Sequence, residues 1–198
     1  MEFLQHLWLP IVVSAVGVFV CSFIIWGLLQ RHKDDWAQLP DEDGVRNDLK
    51  ARGLTPGTYI FPKLNGKECN TPEGKAAWER GPAGVMTVFK KVNMGANMFG
   101  SFLVSLIASV LIAYVLWHVM GRDQAYFASH YKDFSDRFQV AGTIGILTYC
   151  FSFLPNMIWF QAGKRAMVNG VVDGVVYGLV TGFAFSYLWP HIEPVLKT

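Results

Sequence analysis

Four stretches of the chain stay apolar for about twenty residues with no charge in their central part, the length a helix needs to cross the hydrocarbon core of a bilayer. They run from about Leu7 to Leu29, from Met98 to Met120, from Val140 to Phe160 and from Val171 to Trp189. The pattern predicts an all-α integral membrane protein with four transmembrane helices and a small mixed α/β extramembrane module between helices 1 and 2. On this reading residues 1–29 hold the first helix, 30–97 the module, and 98–198 helices 2–4. The first stretch has Glu2 and no Lys or Arg before it, and Arg31 and Lys33 after it, with no small-residue cleavage site. That arrangement reads as a retained anchor rather than a cleaved signal peptide.

Between the first two stretches the pattern turns polar and punctuated. Asp41, Glu42 and Asp43 after Pro40, with Gly53 after Arg52, bracket one short helix. Thr71 as N-cap with Pro72 at the first helical position starts another, which should reach about Arg80 and stop at Gly81-Pro82. Two β-prone runs, Thr58 to Phe61 and Val85 to Val92, are expected to pair. A module of this size buries little core of its own. Near residues 124–138, Phe127, Tyr131, Phe134 and Phe138 recur at helical spacing among charges, the pattern of an interfacial amphipathic helix or of one covering a partner.

Two of the long stretches carry rows of small residues four apart. The fourth has Gly170, Gly174, Gly178, Gly182 and Ser186, and the second has Ser101, Ser105, Ser109 and Ala113. Lipid supplies no hydrophobic drive between helices, so close approach depends on such rows. They are assigned to helix packing, inside this chain or against a second subunit. In the third stretch Pro155 removes a hydrogen bond and frees the carbonyl of Phe151, predicting a kink that Thr148 and Ser152 could relieve.

Composition sharpens the class. Only 16% of residues are charged, against about 25% in soluble domains. The net charge of +2 and the absence of a basic block with interleaved aromatics exclude a nucleic-acid partner. The segment between stretches one and two holds 11 of the 17 Lys and Arg residues, and Lys164 and Arg165 add to the same side. Only Arg122, Lys132, Arg137 and Lys197 fall on the other side. The positive-inside rule then puts both termini outside the cytoplasm and the module in the cytoplasm, so that in a bacterial inner membrane the termini would be periplasmic. Trp8, Trp117 and Trp189 mark one interface and Trp26 and Trp159 the other.

Candidate chemistry is sparse. Asp173 is the one acid within a predicted span, with Asn169 before it as a possible N-cap and the helix dipole to favour it. Asn156 near the end of span three could share its level, and intramembrane polar groups often mark transport paths. His118 is a weak candidate for cofactor binding, while His32 and His130 read as exposed. Cys21, Cys69 and Cys150 have no metal or redox spacing. No catalytic motif, metal site or cofactor is predicted.

The runs Leu9 to Ala15, Leu39-Pro40-Asp41-Glu42-Asp43, Pro56-Gly57-Thr58-Tyr59 with Phe61-Pro62, Gly81-Pro82-Ala83-Gly84, and Asp173-Gly174 with Trp189-Pro190 span nearly the whole chain. In these the chain resembles a family of small multi-pass bacterial membrane proteins of uncharacterised activity. The resemblance implies a bacterial inner membrane and carries over no reaction. The expected function is a non-catalytic accessory or structural subunit of a larger membrane complex, with the bilayer and other membrane subunits, or itself, as partners. The alternative is a small transporter or channel with a polar site at Asn156 and Asp173.

Overall fold

The computed structural model describes residues 2–121 and 130–190. In chain order, α1 (Glu2–Phe23) runs on through a π-helical turn at Ile24–Leu28. Then come α2 (Glu42–Ala51), β1 (Gly57–Phe61), α3 (Pro72–Arg80) and β2 (Gly84–Val88). They are followed by α4 (Met94–Leu116), which ends in a second π-helical turn at Trp117–Gly121. The chain closes with α5 (Phe134–Cys150), α6 (Leu154–Trp159) and α7 (Lys164–Tyr187). It divides into two compact units, one of Met1–Trp36 with Met94–Thr198 and one of Ala37–Asn93.

In the larger unit four helical stretches, Glu2–Leu28, Met94–Met120, Phe134–Trp159 and Lys164–Tyr187, are long and apolar enough to cross a membrane. Their side chains are sorted by size. Val12, Val16, Val20, Val104, Ile107, Leu111 and Phe183 are exposed, whereas Ser14, Ala15, Ser109, Ala113, Thr181 and Ala184 are buried. Bulk outside and small residues inside is the arrangement lipid favours, since tails solvate aliphatic side chains as well as a core does.

The small-residue rows explain which helices meet. A Cβ built on Gly174 would lie 2.6 Å from Cys150 Cα, one on Gly178 2.5 Å from Ile146 N, and one on Gly182 2.7 Å from Gly142 Cα. The glycine face of α7 therefore lies backbone to backbone on α5. On α4, Ser101 is exposed, while Ser105, Ser109 and Ala113 are buried. Ser109 Oγ donates to Ser14 Oγ on α1 at 3.2 Å, and Ser14 Oγ donates to Thr181 Oγ1 on α7 at 3.1 Å. These hydroxyls tie three helices together near mid-length. Toward the end where α1 begins, the interior turns apolar, with Leu7, Leu116, Met120 and Phe185 all fully buried.

The third stretch departs from expectation in two ways. Helix α5 begins at Phe134, ahead of Val140, so Phe134 and Phe138 belong to it and not to a separate interfacial helix. Phe134 packs edge-on against Phe183 of α7, with ring centroids 5.8 Å apart. Residues 122–129 of the predicted interfacial segment, Phe127 included, lie outside the described residues. The predicted kink is a full break, because Pro155 is accommodated only in the first turn of a new helix, where no N–H is needed. Thr148 Oγ1 donates to Ile144 O at 2.8 Å and not to Phe151. Helix α6 ends in a Schellman motif, with Ala162 N bonded to Met157 O and Gln161 N to Ile158 O.

The smaller unit follows its sequence signals closely. Asp41 and Thr71 cap α2 and α3, each accepting from the backbone N of the glycine three residues on, at 3.2 and 3.1 Å. Strands β1 and β2 pair antiparallel with Gly57 opposite Val88 and Phe61 opposite Gly84. Gly53, at φ +68°, closes α2 in a second Schellman motif, with Leu54 N on Leu49 O and Gly53 N on Lys50 O. A side chain there is strained, so Gly53→Ala should cost about 1 kcal/mol of local stability. Hydrogen exchange across residues 42–51 should accelerate about fivefold; unchanged exchange would contradict the left-handed assignment.

Candidate functional site

The site is made by how the first long helix ends. The π-helical turn closes with Leu29 N on Ile24 O at 2.8 Å and Arg31 N on Ile25 O at 3.3 Å. Gln30 then takes φ +46°, a conformation that a residue with a Cβ adopts at some cost. Together these turn the chain, and residues 31–36 lie against the first turns of α7 as a strap. Arg31 Nε donates to Asn169 Oδ1 at 3.0 Å, and Asn169 Nδ2 donates to Asp35 Oδ1 at 2.7 Å. At the rim Arg165 Nη2 donates to Asp34 Oδ2 at 2.8 Å. That rim pair is about half exposed and contributes little by itself.

Beneath the rim His32 is 5% exposed and lies between two acids. Its Nδ1 is 2.6 Å from Asp35 Oδ2 and its Nε2 is 2.9 Å from Asp173 Oδ2. Each of these contacts needs one proton between nitrogen and oxygen, so the chain Asp35–His32–Asp173 holds two bridging protons. Trp26 Nε1 donates to the same Asp173 Oδ2 at 3.2 Å, and the Trp26 ring stacks on His32 with centroids 3.7 Å apart. The other carboxylate oxygen, Asp173 Oδ1, is buried and has no hydrogen-bond partner. Buried polar atoms are nearly always paired; Ser186 Oγ, farther along α7, is likewise buried without a partner.

Asp173 forms part of the wall of an open cavity of about 470 Å³. Trp26, Trp36, Tyr149, Phe153 and Tyr177 supply most of the aromatic surface, and Asp35 and His32 lie beside Asp173. The break before Pro155 contributes Phe153, whose ring lies against Gly170, where a Cβ would approach it to 2.8 Å. Among the described residues, Asp35 and Asp173 are the only carboxylates on the wall, and no Lys or Arg lines it.

The structure places the predicted residues unevenly. Asp173 is at the centre of the network, but it is not a first-turn acid. Helix α7 starts at Lys164 behind Gly163, so Asp173 lies nine residues along, about 14 Å from the start at 1.5 Å per residue. Asn169 is inside the helix and is no N-cap; its amide serves Asp35, and the dipole account of Asp173 gives way to the hydrogen bonds above. Asn156, on α6, is exposed and does not line the cavity. His118 is exposed, with Nδ1 2.8 Å from Tyr114 O of its own helix. His32, expected to be exposed, is buried, and Trp26 is more than an interface marker. Among the described residues no group of three His, Cys, Asp or Glu is arranged around a metal position. One signal for His32 was available. An acid inside a span requires a donor at its own level, and His32, next to the end of span one, is the nearest histidine on that side.

Comparison with protein families, curated proteins and solved structures finds no match for this chain.

Proposed function

We propose that this chain is a small multi-pass carrier of the bacterial inner membrane, with Asp173 and its cavity as the working site and the Asp35–His32–Asp173 chain as the proton-holding element. The buried Asp35–His32–Asp173 chain beside an open aromatic cavity is the observation that carries this reading. Ionisable groups within membrane-spanning segments often belong to ion or proton paths. A carrier fits better than an open pore. Beyond Ser14, Ser109 and Thr181 the interior is mainly apolar, with Leu7, Leu116, Met120 and Phe185 fully buried and Ser186 buried as well. By the positive-inside rule the cavity faces the cytoplasm and both termini face the periplasm.

Purified protein in liposomes with an internal pH indicator tests the proposal. An imposed proton gradient should dissipate faster than in empty vesicles, and Asp173→Asn should reduce the added rate by about tenfold or more while the protein stays folded. If wild type adds no flux under the imposed proton gradient, the carrier reading fails. A heavy native-gel band with defined partners would then point to an accessory subunit.

A further inference from the structure

We propose that one face of the β1–β2 ribbon is a lipid-docking surface for an anionic bilayer, with Ile60, Val85 and Phe89 at the acyl boundary and Lys90 and Lys91 on the headgroup phosphates. Such docking requires the four long helices to cross a bilayer; it does not require the chain to be a carrier. The register defines the face. Ile60 pairs with Val85 and Thr58 with Thr87, and directly opposed residues stand on the same side. Alternation carried one step past β2 puts Phe89 on that side too. Ile60 is 45% exposed, Val85 43% and Phe89 75%. Thr58 and Thr87, lying between them, hydrogen-bond to each other through their hydroxyls at 3.4 Å. None of these five residues carries a charge.

An antiparallel sheet usually packs one side and turns a polar side to water. This ribbon has no polar side: Tyr59, Met86 and Val88 on the other face are half-buried, and the Ile60 face is apolar and uncovered. Two strands alone are marginal in water, so a covered face stabilises them. Two features name lipid as the cover. Strand β2 ends at Val88 and α4, long and apolar enough to span, begins at Met94. The five steps from Phe89 to Met94 reach about 18 Å at most, so Phe89 stays close to any bilayer that α4 enters. Lys90 and Lys91 follow Phe89 directly, and Val92 beyond them is exposed. Exposed apolar side chains beside juxtamembrane lysines are the combination that an anionic leaflet holds, through apolar burial and charge together.

Fluorescence quenching of the full chain in nanodiscs of phosphatidylcholine and phosphatidylglycerol tests this. Ile60 is the deciding position, because Phe89 is kept near the bilayer by its short link alone, whereas Ile60 precedes Met94 by 34 positions. In a Cys69→Ser background, whose remaining Cys21 and Cys150 lie within the long helices, one fluorescent thiol label is placed at Ile60→Cys or, on the opposite face, at Met86→Cys. Each is quenched by a lipid with a nitroxide high on its acyl chain and by a neutral water-soluble nitroxide. The ratio of lipid to aqueous quenching should be about threefold higher at position 60 than at position 86. Lys90→Gln with Lys91→Gln should shift the docked-to-undocked ratio at position 60 about tenfold or more, as should nanodiscs of phosphatidylcholine alone. Equal ratios at the two positions would overturn the proposal. So would a label at position 60 shielded from both quenchers, which is the sign of a protein cover. Lipid quenching at position 60 that ignores both the lysines and the lipid charge would strike out the anionic partner.

Discussion

His32→Ala should destabilise the protein by about 3–5 kcal/mol, measured by chemical denaturation of the purified chain in detergent. The figure is the usual cost of removing one member of a buried ionic group while its partners stay behind. His32 and both of the acids it bridges have side chains less than a tenth exposed, so water cannot replace the lost contacts at low cost. The Trp26 stack is lost as well. The double variant His32→Ala, Asp173→Leu should recover more than half of the loss, because removing the acid with its partner leaves one fewer buried charge. A single variant within about 0.5 kcal/mol of wild type would mean that the strap does not hold His32 between the two acids.

Gly178→Ala should cost about 1–3 kcal/mol, and Gly178→Leu should stop α5 and α7 from packing at all. The added Cβ would sit 2.5 Å from Ile146 N and 2.8 Å from Ile146 Cα. Both atoms are backbone, so relief requires moving a helix and not a rotamer. Gly100→Ala is the matched control, since its Cβ meets nothing within 4 Å. That change should leave stability level or raise it through helix propensity, by up to about 1 kcal/mol. If the two alanine variants melt together, the glycine row is not the seam between these helices.

The long helices and the small unit were legible in the sequence because their signals are local. Twenty apolar residues need no partner to be recognised, and Asp41, Gly53, Thr71 and Pro72 each mark a helix end through geometry within a few residues. The rows on α4 and α7 were legible as packing faces, though not which helix each would meet. The site was not legible for the opposite reason. It depends on Gln30 adopting a left-handed conformation, which no periodicity predicts and which the residue type disfavours. Without that turn Arg-His-Lys-Asp-Asp-Trp reads as an ordinary charged flank in water. The early start of α7 is hidden for a related reason: Lys164 and Arg165 read as a charged loop, yet both are good helix formers. Matching levels on antiparallel helices puts Asn156 beside Asp173, but depth does not fix which way a side chain faces, and Asn156 is exposed and off the cavity wall.

The mainly apolar layer at the end where α1 begins also has an electrical consequence. If the bundle spans a membrane, the voltage falls mainly where the dielectric constant is low, across the layer of Leu7, Leu116, Met120 and Phe185. A cation entering the cavity from the side of the strap would cross little of that field, so its loading should be almost indifferent to potential. Moving the same charge past the sealed layer would involve about 2.3 kcal/mol for each 100 mV. Voltage would then act on turnover and not on affinity.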